Sequence, residues 1–187
     1  MAPVAMAAKY FAIPAYILLL LAVFFLLRRR GFDRSYFGIT ARNLSRGMII
    51  ALILIPATLA AEIMMRGGGL SVHKVSIHYI IDRLVWYLVF VGLLEELFYR
   101  GYVQTTLERL LGPTRGLYLA SLVMGFTHIF QRLFLRGQNL EAALISGLVI
   151  IPLGCLPWGY LFQRTRNIFP VVFLHGMLDF LPRILGG

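Results

Sequence analysis

Six apolar runs of roughly 20 residues each limit the fold of this chain more than any other feature. They fall at about 10–27, 47–65, 84–103, 117–134, 142–162 and 168–185. About 20 residues at ~1.5 Å rise cross a ~30 Å hydrocarbon core, and a helix satisfies its own backbone there. The expected fold is therefore all-α, a polytopic transmembrane helical bundle of about six spans. Polar or Gly-rich connectors separate the runs, among them "RRRGFDRSYFGITARNLSR", "RGGGLSVHKVSIHYIID" and "TLERLLGPTRG". Composition agrees: 59% of the 187 residues are hydrophobic and 14% charged, where a soluble domain carries about 25% charged residues.

The length suits one integral domain. Residues 1–83 are expected to supply two N-terminal spans and an interfacial segment, with a short helix at 73–83. Residues 84–187 are expected to supply a core of four spans. The cluster Arg28–Arg30 follows the first apolar run instead of preceding it, which indicates a retained span and not a cleaved signal. Cys155 is the single cysteine, so no internal disulfide or thiolate metal cluster can form.

The formal charge of +10 does not point to nucleic acid. The basic residues cluster at the ends of apolar runs and form no stripe interleaved with exposed aromatics. The 28–46 segment holds six arginines, and Arg100, Arg109, Arg115, Arg164 and Arg166 lie on the same side of the predicted topology. Lys9, Arg66, Lys74, Arg83, Arg132, Arg136 and Arg183 lie on the other. The positive-inside rule then places the 28–46 segment in the cytoplasm and both termini outside.

Four places break the apolar pattern: Glu95 and Glu96 with Arg100, His128, His175, and Asp179. An ionisable group near a bilayer centre costs about 2.5–3.5 kcal/mol, so three or four left unpaired would cost on the order of 10 kcal/mol. They are expected to pair. Glu96 and Arg100 are i,i+4 on one helical face and read as a self-neutralising pair. Glu95 is rotated about 100° from Glu96 and is left without a local partner. His175 and Asp179 share a face of the last run. Measured from span ends near 103, 117 and 168, Glu95 lies roughly 12 Å deep, His128 roughly 16 Å and His175 roughly 10 Å. Three helices thus bring polar groups to a similar level, and a single buried cluster is expected.

A carboxylate and a histidine that share a water can make it a nucleophile, with Glu as general base. A histidine from another helix can donate to the oxyanion of a tetrahedral intermediate. No HExxH zinc motif is present; a metal held by Glu95, His128 and His175 is stereochemically possible, but no spacing requires one. A proton-coupled transporter would also place Glu and His inside a membrane, yet six spans without an inverted repeat fit it poorly.

At these residues the chain resembles the CPBP family of intramembrane proteins, which includes the CAAX prenyl endopeptidases and bacteriocin-processing or immunity relatives. The EExxxR motif is complete in Glu95, Glu96 and Arg100. The motif with His followed by Asn or Asp four residues later is His175 and Asp179. FxxxH is matched only at His128, because Met124 stands at the Phe position. The resemblance covers roughly residues 84–187. It implies a glutamate-dependent endopeptidase that needs neither metal nor other cofactor. In that scheme Glu95 and His128 activate water, His175 and Asp179 form the oxyanion hole, and Glu96 with Arg100 supports the site. An ionised Asp179 would repel an oxyanion, so this residue is either protonated or orients His175; the orienting role is expected. The implied partner is a membrane-associated protein or peptide, cut near its C-terminus or in a membrane-associated segment, in a prokaryotic cell membrane with the site opening towards the cytoplasm. The family also contains non-catalytic immunity or assembly factors, which is the alternative reading.

Overall fold

The computed structural model describes residues 28–65 and 75–185, together with residues 14, 17–18, 21–22 and 24–25. Among the described residues from 44 onwards, five helices make the bundle. They are α1 (Leu44–Met65), α2 (Ile77–Leu111), α3 (Pro113–Leu135), α4 (Leu140–Thr165) and α5 (Phe169–Ile184). No strand occurs among the described residues. The helices α1 to α4 are long and apolar enough to cross a membrane, whereas α5 has 16 residues. Most of the run at 10–27 lies outside the described residues, as do Lys9, Arg66 and Lys74. The described residues thus hold four candidate spans, and the expected count of six is not confirmed.

Local chemistry sets the helix ends. Asn139 caps α4, its side-chain oxygen accepting from the Ala142 amide at 2.8 Å. Gly112, at φ 86°, stops α2, and Pro113 opens α3 at a position where its missing N–H is no loss. Asn167 accepts from the Phe169 amide at 3.0 Å and donates to the carbonyls of Thr40 and Arg42, both at 2.8 Å. It thereby ties the start of α5 to the loop before α1.

The helix α2 is longer than the 84–103 span expected from hydropathy. At ~1.5 Å per residue its 35 residues extend roughly 50 Å, so its ends project past a ~30 Å core. The segment read as a separate interfacial helix at 73–83 is, from Ile77 onwards, the projecting start of α2; residues 73–74 lie outside the described part. Two π-helical stretches, Trp86–Leu93 and Leu97–Gln104, flank the single α turn that carries Glu95 and Glu96. Such widened turns often mark functional positions.

Burial is inverted relative to a soluble protein. Leu122, Val123, Phe126 and Phe130 on α3 and Leu148, Val149 and Leu153 on α4 are exposed, which places them against lipid. Glu96, Arg100 and Gln104 have no exposure at all. Lipid tails are as apolar as leucine, so close packing and interhelical hydrogen bonds hold such a bundle together. Helices α3 and α4 meet at Gly125 and Gly147, where a Cβ on Gly125 would stand 2.0 Å from the Gly147 carbonyl oxygen and 2.6 Å from Pro152. Gly125→Val is therefore expected to destabilise the protein by ~3 kcal/mol. Gly154→Ala, where a Cβ meets nothing within 4 Å, should change stability by less than ~0.5 kcal/mol. Unfolding in detergent followed by circular dichroism checks both, and equal losses would contradict this account of the interface.

The helices alternate in direction, so the bundle has two distinct ends. At one end the 28–46 segment packs on the end of α2 and the α4–α5 turn. The Tyr36 hydroxyl lies 2.7 Å from Thr106 Oγ1, and Asn43 donates to the Thr165 carbonyl at 3.1 Å. At the other end lie the starts of α2 and α4 and the ends of α3 and α5.

Candidate active site

Glu95 and Glu96 are neighbours in sequence but face different helices, as a 100° rotation requires. Glu95 looks towards α3, where its Oε2 lies 4.0 Å from His128 Nε2. Glu96 looks towards α5, and its Oε1 accepts from His175 Nδ1 at 2.7 Å. Its other oxygen accepts from Arg100 Nε at 3.1 Å. The reading of Glu96 and Arg100 as merely self-neutralising is thus incomplete, because Glu96 also holds a histidine from another helix.

His128 has a defined tautomer. Its Nδ1 lies 2.7 Å from the Met124 carbonyl, which can only accept, so Nδ1 carries the proton and Nε2 faces Glu95. Tyr99 supports this wall: its ring lies 6.4 Å from His128, and its hydroxyl hydrogen-bonds Thr127. His175 is only 4% exposed and packs against the Trp158 indole at a ring separation of 4.6 Å. Its Nε2 lies 3.7 Å from Asp179 Oδ2, beyond direct hydrogen-bond length. Glu96 holds the ring by a direct hydrogen bond, while Asp179, expected to orient it, stands one ion-pair distance away. Asp179 is the most open of the cluster, with 43% of its side chain exposed, against 17% for Glu95 and 18% for His128.

Glu95, His128, His175 and Asp179 line one cavity of about 590 Å³. Met124, at the position where FxxxH has Phe, lines it too; its sulfur takes contacts from Arg100 Nη2 and Cys155 Sγ, both at 3.4 Å. Arg100 also reaches the Cys155 carbonyl at 3.4 Å. Arg100 was counted above with the cytoplasmic loops, but it is fully buried. Among the described residues no group of three or more His, Cys, Asp or Glu is placed to hold a metal ion.

The polar interior continues beyond the motif. Gln104 Oε1 lies 3.5 Å from Arg100 Nη1, and its Nε2 donates to Glu108 at 2.7 Å and to the Gly159 carbonyl at 2.9 Å. Glu108 pairs with Arg166 at 2.6 Å, at angles outside hydrogen-bond geometry, and accepts from Gln163 at 3.0 Å. The spacing of four at 96, 100, 104 and 108 was a visible signal for this ladder. No periodicity marked Trp158.

The cavity walls include Trp86 and Tyr87 from the start of α2, Arg132 and Arg136 from the end of α3, and Pro182 and Arg183 from the end of α5. The site therefore opens at the end of the bundle away from the arginine-rich 28–46 segment. The polar groups of the three helices line one cavity, and that cavity reaches the end of the bundle opposite the one from which their depths were reckoned. A cytoplasmic 28–46 segment and a cytoplasmic site opening exclude each other. A second cavity, of about 310 Å³, lies at the 28–46 end and is lined by Arg42, Glu108, Arg109 and Arg166; it contains neither histidine.

Comparison with known families gives a match to the type II CAAX prenyl endopeptidase Rce1-like family over residues 42–181, about three quarters of the chain. The match reaches back past the motif-bearing region to include α1. That helix contributes Ala51 and Ile55 to the same buried cluster as Phe162, Val171 and Leu174. No curated protein and no solved structure matches the chain.

Proposed function

Since the chain belongs to the Rce1-like family of type II CAAX prenyl endopeptidases, we propose that it is an integral membrane endopeptidase in which Glu95 is the general base and no metal takes part. The observation that carries this reading is the 4.0 Å gap between Glu95 Oε2 and His128 Nε2. A water making ~2.8 Å hydrogen bonds to both would subtend about 90° between them, close to the angle between its own two protons. With Nδ1 protonated, neutral His128 offers a lone pair at Nε2. The water then donates one proton to each partner and leaves its own lone pair free to attack.

The reaction follows from that arrangement. Glu95 takes a proton as the water oxygen attacks the scissile carbonyl carbon. His175 is committed to Glu96 through Nδ1 and offers the cavity the Nε2–H of its doubly protonated ring, balanced by carboxylates on either side. That donor stabilises the developing oxyanion. The proton on Glu95 passes to the departing amine nitrogen as the C–N bond breaks, leaving one new carboxylic acid and one new amine. Asp179, at the open edge, holds the charge balance of His175 and does not contact the oxyanion. Glu96 and Arg100 are positioning residues.

The test is hydrolysis of a fluorogenic prenylated CAAX peptide, and of the same peptide without its prenyl group, by the purified chain in liposomes. Cleavage of either form, unchanged to within twofold after exhaustive chelation, is expected. Activity lost to chelator and restored by zinc would overturn the metal-free mechanism. No cleavage of any membrane-anchored peptide would leave the non-catalytic reading standing.

A further inference from the structure

We propose that the second cavity, at the 28–46 end of the bundle, binds a phosphate group, carried by a lipid headgroup or free in solution. This holds independently of the protease reading, since the cavity contains none of the candidate catalytic residues. Three guanidiniums line it from three separate segments. Arg42 comes from the loop before α1, Arg109 from the end of α2, and Arg166 from the turn between α4 and α5. The cavity has one carboxylate, Glu108, which is buried and paired with Arg166 at 2.6 Å. Among the described residues no carboxylate lies within ion-pair reach of Arg42 or Arg109. Three positive groups against one negative group leave two charges unbalanced around a recess, and a concave wall focuses their field on whatever enters. The guanidiniums are accessible: 46% of the Arg166 side chain is exposed, and Arg42 and Arg109 are exposed as well.

The frame that holds them is rigid. The Arg109 guanidinium lies 4.5 Å from the centre of the Tyr36 ring and 5.6 Å from that of Phe32. Asn167 donates to the Arg42 carbonyl at 2.8 Å, and Asn43 donates to the Thr165 carbonyl at 3.1 Å. The segments carrying Arg42 and Arg166 are thereby laced together from both sides. Asn43 and Arg166, at φ 54° and 52°, are the left-handed residues other than glycine among those described. One follows Arg42, and the other is itself a member of the site. Arg166 stands at a helix end where glycine is the usual residue. A side chain kept in such a conformation points to a function for it. Thr40 adds a neutral donor, because its oxygen accepts from the Arg42 amide at 3.1 Å and its proton remains to be given.

Arginines at span ends commonly meet water and lipid phosphates with no site at all, and that suffices for Arg28, Arg29 and Arg30, which follow an apolar run. A basic fringe of that kind needs no cavity, stacked guanidinium or left-handed arginine. Guanidiniums arriving from three directions suit a tetrahedral phosphate, which offers oxygens on several sides, better than a planar carboxylate. Leu110 and Leu111, 73% and 43% exposed beside Arg109, offer an apolar surface on which the chains of a bound lipid could lie.

Two measurements on the full chain in detergent distinguish the sources. In native mass spectrometry against an equimolar mixture, the chain is expected to retain phosphatidylglycerol at least 5-fold over phosphatidylcholine, whose choline already balances its phosphate. Inorganic phosphate, compared with chloride at equal ionic strength, is expected to raise the thermal unfolding midpoint if the site takes free phosphate. Lipid selectivity alone assigns a headgroup, and the phosphate shift alone assigns a soluble ligand. Arg42→Gln with Arg109→Gln should bring the lipid ratio to near 1 and abolish any phosphate shift. Arg29→Gln with Arg30→Gln, the same charge change outside the cavity, should leave both unchanged. Arg42→Gln by itself, which removes no described side-chain hydrogen bond, should halve the ratio or more and carries the test if the double variant does not fold. Neither selectivity nor shift in the unmodified chain would overturn the site. So would equal losses in the two double variants, since that indicates attraction by net charge.

Discussion

Glu95→Gln protein is expected to purify and fold normally and to hydrolyse its substrate about 10³-fold more slowly, within the 10²–10⁴ range of a general base. The amide keeps the shape of the side chain and removes its capacity to take a proton. Little of the fold depends on Glu95, whose one described ion-pair contact is the 4.0 Å approach to His128. Single-turnover hydrolysis beside thermal unfolding in detergent separates the two effects. A Glu95→Gln rate within 10-fold of the unmodified protein would remove Glu95 as the base. A parallel loss of folding would recast it as structural.

Arg100→Leu is expected to act in the other order, on the fold first. The guanidinium is fully buried, binds Glu96 and contacts Gln104, Met124 and the Cys155 carbonyl. Removing one member of a buried pair leaves an uncompensated charge, at a cost of about 3–5 kcal/mol. Replacing both members with apolar residues is often far milder. Glu96→Met with Arg100→Leu should therefore regain at least half of the lost stability yet remain inactive, because His175 then has nothing at Nδ1. Recovery of activity together with stability would show that Glu96 does not orient His175. Unfolding midpoints and turnover on the two variants decide this.

Much of this arrangement is legible in the sequence, because a bilayer penalises stray polarity so heavily. Each charged or imidazole group in an apolar run had to have a partner, and Glu95, His128, His175 and Asp179 do line one cavity. Hydropathy was a poorer guide to helix ends. It stopped α2 near 103 because "TLERLL" reads as a connector, whereas the carboxylate of Glu108 is buried and paired within the bundle. Pairing across helices was also beyond reach. Spacing exposes i,i+4 neighbours such as Glu96 with Arg100, but not that His175, 79 residues away, takes the other oxygen of Glu96. Positive charge located the arginine-rich end correctly as one end of the bundle. It could not say that the cavity faces the other, since that depends on how far along each helix the polar groups fall relative to the turns.

The buried ladder from Glu96 to Glu108 has a consequence for biogenesis. When α2 leaves the ribosome, the groups that satisfy it have not been made: the Cys155 and Gly159 carbonyls come 55 residues after Arg100 and Gln104, and His175 later still. Left by itself in lipid, the nascent segment would strand several charges. It must wait at the translocon, or in the company of water, until α4 and α5 arrive and the helices partition together. A truncation after residue 139 should accordingly be recognised as unassembled and degraded, even though every span it retains is apolar enough to insert.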